Sequence, residues 1–149
     1  MTTKIRAQLI LHGSMIILLG LLSGFLTVAD SAGGPTRGWQ SVHQTLLVFG
    51  VWMLATGSGG AALSLGAREA RALMWSLVSA GYALLVVLVI RAATGVSGFS
   101  FGESPANTVA FMANVIVALG AILATLLTMD GAFRAAREHA TAPDAPRAV

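Results

Sequence analysis

Apolar residues run through this chain in long unbroken blocks. Four stretches carry no charged residue: Ala7 to Ala29, Gly38 to Ala67, Ala72 to Ile90 and Ser104 to Met129. A helix crossing the hydrocarbon layer needs roughly 20 apolar residues at about 1.5 Å rise each. The pattern predicts spanning helices at about 6–28, 41–65, 70–92 and 106–130. Transmembrane β-strands would alternate apolar and polar residues over ~10-residue segments. Runs such as Ile16–Leu22 and Leu84–Ile90 do not alternate.

The first block is longer than the h-region of a signal peptide and no Ala-x-Ala site follows it, so it is read as a retained span. Lys4, Arg6, Arg68, Arg71, Arg134, Arg137 and Arg147 fall on one side of the four spans, and only Arg37 and Arg91 on the other. Basic residues concentrate in cytoplasmic segments. The reading is an all-α membrane protein, a four-transmembrane-helix bundle with both termini cytoplasmic, in a bacterial-type inner or plasma membrane. The tight Gly66–Arg71 connection predicts that the second and third helices pack as an antiparallel hairpin. The outer connections, Ala29–Gln40 and Ala93–Ala106, are longer. The last helix is expected to continue as a charged extension, Asp130–His139. The transmembrane domain then covers 1–139, and 140–149 is expected to be a disordered cytoplasmic tail.

Composition narrows the function. The chain is 56% hydrophobic and 10% charged, with a mean hydropathy of +0.80. Soluble domains are about 45–50% apolar and about 25% charged. A soluble enzyme, a disordered chain and a nucleic-acid-binding domain are excluded; the partner implied is the lipid bilayer. Without cysteine there is no disulfide, thiolate nucleophile or zinc-thiolate site.

Polar residues inside spans are costly without partners and so mark candidate sites. His12 lies in the first span, near its cytoplasmic end, and His43 near the outer end of the second. They enter from opposite faces, which excludes both as axial ligands of one haem. His43 reads either as an interfacial histidine or as a metal ligand. His12 reads as a helix-to-helix hydrogen bond, with Gly13 allowing close approach. Tyr82 and Asn114 are weak candidates for catalysis or ligand contact, and equally for interhelical hydrogen bonds. Gly20-x-x-x-Gly24 and Gly57–Ala62 make smooth helix faces that suit close packing, self-association included. Trp39 fits the outer aromatic belt; Trp52, Trp75 and Met53 read as packing residues. Met112 also reads as core, though it lies towards the outer face and could approach His43. Asp30, Glu103 and Asp130 sit at span ends, so paired-carboxylate chemistry has no buried site.

Three local patterns resemble the styrene oxide isomerase family, small four-span membrane proteins. They are His12-Gly13 within the first apolar run, Gly38-Trp39-x-x-x-His43, and the glycine–aromatic loop Ser97-Gly98-Phe99-Ser100-Phe101-Gly102. The likeness covers nearly the whole chain. It implies a homotrimer with haem b near each subunit interface and His43 as the axial ligand of its iron. Arg37, Trp39 and Phe49 then stand beside the cofactor, with Arg37 available to a propionate. It also implies a ferric Lewis acid that rearranges a lipophilic epoxide to a carbonyl compound, in a pocket dry enough to keep water from the reacting carbon. The chain departs from the family pattern at three polar positions. Phe49 stands for an asparagine, and Ala80 and Leu88 for an aspartate and a tyrosine. Two alternatives stay open: a non-catalytic haem protein for electron transfer or haem/gas sensing, in which Met112 is the nearest second ligand, and a cofactor-free membrane interaction subunit.

Overall fold

The computed structural model describes residues 1–30 and 37–141, the side chains of 29, 30 and 37 excepted. Four helices carry the chain: α1 (Thr3–Asp30), α2 (Arg37–Gly59), α3 (Ala67–Thr94) and α4 (Pro105–Thr141), with one 3-10 turn at Gly60–Ala62. All four are long and apolar enough to cross a membrane, and no strand occurs among the described residues. The expected disordered tail lies almost wholly outside the described residues, whereas α4 stays helical through Thr141.

The second span is shifted. It begins at Arg37 and gives way before 65, where Leu63 adopts an extended conformation (φ −96°, ψ 125°). Glycine is the weakest helix former after proline, and Gly57, Gly59 and Gly60 crowd this end. The Arg6 side chain takes the carbonyls of Gly57 and Ser58, each at 3.1 Å. A cation there also complements the negative end of the helix dipole.

The expected hairpin of the second and third helices is not the main packing unit. The most extensive seams are α1–α2 and α3–α4, and α3 also touches α1 and α2. Glycines decide this, because they let backbones approach. A Cβ on Gly50 would lie 2.5 Å from Ile17 Cγ1, and one on Gly120 would lie 2.7 Å from the Ser76 carbonyl oxygen. Gly20, Gly24 and Gly57 face their neighbours across the α1–α2 seam in the same way. Gly20, Gly24 and Gly57 are thus used within the chain, whereas Gly59 meets nothing within 4 Å.

Leu9, Ile16, Leu46, Met53, Leu73 and Leu77 fill the centre, fully buried between α1, α2 and α3. α4 rests chiefly on α3, and its Val109, Met112, Leu119, Ile122, Leu126 and Met129 stay exposed, as lipid-facing residues should. At one end of the bundle Ser64 binds α4 twice: its N–H reaches the Gly131 carbonyl at 3.1 Å and its hydroxyl the Glu138 carboxylate at 2.6 Å. Arg134 pairs with Glu69 at 2.9 Å nearby. Met1 packs on Gly60, so the described stretches of both chain ends meet at this same end.

Candidate functional site

His43 sits on the face of α2 turned to α1. Its Nδ1 lies 2.8 Å from the carbonyl oxygen of Gly20, one α1 turn before Gly24. The ring fits because Gly24 has no side chain; a Cβ there would be 3.0 Å from Nδ1. A carbonyl oxygen only accepts, so the neutral ring carries its proton on Nδ1 and a bare lone pair on Nε2. That atom has no hydrogen-bond partner among the described residues. Since every buried side-chain nitrogen and oxygen among them is satisfied, Nε2 must reach the surface of the protomer. A backbone carbonyl on one imidazole nitrogen is the usual way a ligating histidine is oriented.

The other candidates separate from this centre. Arg37 opens α2, but its side chain lies outside the described residues. Trp39, near the outer end of α2, is half-buried against the core. Phe49 is buried edge-on to Trp52, ring centroids 5.3 Å apart, and packs under Gly81 of α3. Ala80 is covered by Gly120 of α4. Leu88 lines a cavity of about 250 Å³ with Gly38, Ser41, Arg91 and Val96. Phe49, Ala80 and Leu88 all belong to the buried apolar core.

Tyr82 and His12 come together, as a helix-to-helix bond. The Tyr82 hydroxyl lies 3.1 Å from His12 Nδ1 and 3.7 Å from Met15 Sδ. Gly20–Gly24 is 8–12 residues beyond His12 on α1, which puts His43 ~12–18 Å away along the helix. The separation of the two histidines stands. Tyr82 also edges an apolar groove of about 480 Å³ between α3 and α4, lined by Val86, Thr108, Met112 and Ile116 among others. Met112 therefore belongs to the α3–α4 seam and not to the α1–α2 seam of His43. Trp75, expected as a packing residue, is 62% exposed and lines the continuation of that groove.

Asn114 is an anchor: its amide donates to the Gly98 carbonyl at 2.7 Å. Sequence reasoning missed its stronger companion. Asn107, 1% exposed, accepts from the Gly98 N–H at 2.7 Å and donates to the Ser100 carbonyl at 2.6 Å. Together they fix the glycine–aromatic loop, in which Gly95, Gly98 and Gly102 take left-handed conformations (φ +72°, +73° and +87°). The signal was the Ser104-Pro105 helix start: Ser104 Oγ accepts the Asn107 N–H at 3.1 Å, setting Asn107 on the first turn of α4, back towards the loop.

These features define a four-helix membrane protein with one oriented, surface-reaching imidazole. A family profile described as styrene oxide isomerase matches residues 5–133, and the chain belongs to that family. No curated protein and no solved structure matches it.

Proposed function

We propose that the protein is a haem b-dependent membrane isomerase that rearranges a lipophilic epoxide to a carbonyl compound. One observation carries the reading: His43 offers a bare Nε2 at the protomer surface while its Nδ1 proton is fixed on Gly20. No cluster of three or more potential metal-binding side chains exists among the described residues. A lone imidazole suits an iron that arrives with its other donors in a porphyrin. Held by His43, haem b supplies a Lewis-acidic iron for an epoxide oxygen, with no net redox change.

The chain contributes orientation: Gly20 holds the ring and Gly24 makes room for it. Phe49, Ala80 and Leu88 leave no polar group at the family's polar positions, which favours a substrate held by shape and apolar contact. Both termini face the cytoplasm and the protein assembles as a homotrimer in this reading.

The test is the absorption spectrum of protein purified after expression with ample haem, with pyridine haemochrome analysis. A Soret band lost in His43→Ala and kept in His12→Ala supports the assignment. Protein without haem overturns it, and haem whose spectrum answers no lipophilic epoxide redirects the function to electron transfer or sensing.

A further inference from the structure

The Gly20 carbonyl serves more than one donor. It accepts the His43 Nδ1–H at 2.8 Å and the Ser23 hydroxyl at 2.7 Å. Within α1 the Gly24 N–H is directed at the same oxygen by the helix itself. A carbonyl oxygen has two lone pairs, so three donors share what two would fill. Each draws electron density from the oxygen, and the others are held less tightly. Ser23 is only 6% exposed, so bulk water does not compete for its hydroxyl.

The strength of the Nδ1–H bond decides how electron-rich the other ring nitrogen is. A strong acceptor gives the ring imidazolate character and makes Nε2 a more basic ligand. A more basic axial ligand stabilises ferric iron, lowers its potential and weakens it as a Lewis acid. A carbonyl already engaged by a hydroxyl is a weaker acceptor and keeps the ring closer to neutral imidazole. We infer that Ser23 is a positioning residue that sets the donor strength of His43 by sharing the Gly20 carbonyl with it. The consequence for the iron rests on haem ligation by His43; the consequence for the imidazole does not.

The test uses the full chain in nanodiscs, with 15N-labelled histidine, before and after haem loading. In the haem-free protein Ser23→Ala should move the His43 Nδ1–H proton resonance downfield, the mark of a stronger hydrogen bond; His43→Ala identifies that resonance by its loss. With haem bound, Ser23→Ala should lower the midpoint potential and slow haem transfer to apomyoglobin about two- to threefold, part of the net worth of one hydrogen bond. Epoxide turnover should fall at the same time. A serine that served packing alone would give the opposite pairing, faster haem loss with slower turnover. Ser23→Cys, which keeps a weaker donor of similar size, should fall between serine and alanine. Ser76→Ala removes another buried serine, bonded to the Leu73 carbonyl on α3, and should move none of these readouts. An Nδ1–H resonance unmoved in Ser23→Ala, or haem lost faster than from the parent, overturns the inference. A shifted resonance in protein that takes up no haem upholds the hold of Ser23 on His43 and overturns only the haem reading.

Discussion

Gly24 stands so close to His43 that a Cβ on it would lie 3.0 Å from Nδ1 and 3.2 Å from Cε1. The imidazole can reach the Gly20 carbonyl only because that position on α1 is bare. Gly24→Val should displace the ring and cost about 1–3 kcal/mol through overpacking. The expected outcome is a lower unfolding temperature in detergent together with loss of bound haem, measured from the Soret absorbance. Gly24→Val protein that kept full haem occupancy would separate the Gly20 bond from cofactor binding.

Asn107 organises the loop that closes the α3–α4 hairpin. Asn107→Ala leaves the Gly98 N–H, itself buried, without its acceptor. A buried donor left unmatched costs about 1–3 kcal/mol. The variant should unfold earlier and expose the segment 95–104 to limited proteolysis, while helical circular dichroism stays near that of the parent. Asn114→Ala should do less, because its loss frees only a second tether on the same loop.

At the opposite end, α4 is held to the α2–α3 connection by contacts of unequal weight. The Glu69–Arg134 pair is exposed, with side chains 31% and 46% accessible, and surface ion pairs are weak and salt-screened. Glu69→Gln should therefore leave stability nearly unchanged. Gly131 is different: a Cβ there meets Leu65 at 2.8 Å, and its carbonyl accepts the Ser64 N–H. Gly131→Val should loosen the end of α4 and speed tryptic cleavage after Arg134 and Arg137. Equal cleavage rates in the two variants would show that the ion pair, not the backbone contact, holds α4.

The spans were legible because bilayer crossing demands uninterrupted apolar length, a signal that needs no partner. Helix pairing was not. The chain has 17 glycines, and which of them meet across a seam depends on the relative rotation of two helices, which hydropathy does not encode. His43 stood out as a polar residue in an apolar run, whereas its partner is the backbone carbonyl of Gly20, a group every residue has. Tyr82 was visible and His12 was visible; their contact was not, since 70 residues separate them. The smooth Gly20–Gly24 face was legible as a packing surface, but its partner, α2 of the same chain, was not.

Charge predicts the orientation: Lys4, Arg6, Arg68, Arg71, Arg134 and Arg137 lie towards the end that holds both described chain ends, and basic residues concentrate on the cytoplasmic side. A reporter fused at Pro35 should be active only outside the cytoplasm, and one fused after Val149 only inside. The same side for both reporters would contradict four crossings.

The final prediction concerns assembly. His43 Nε2 opens from the α1–α2 seam, while the apolar groove of Tyr82, Met112 and Ile116 belongs to the α3–α4 seam. A planar macrocycle on Nε2 would have protein on one side only within a single chain. If the α3–α4 face of a neighbour covers the other side, the contact joins two different surfaces, and such heterologous contacts close into rings. A closed homotrimer satisfies this with every His43 covered in the same way. Native mass spectrometry in a mild detergent should show three chains carrying up to three haems. A bulky charged substitution in the groove, Met112→Arg, should shift the population towards monomer and weaken haem retention together, without altering His43. Monomer that keeps its haem would show that one chain completes the site, and would rule out a cofactor held between subunits.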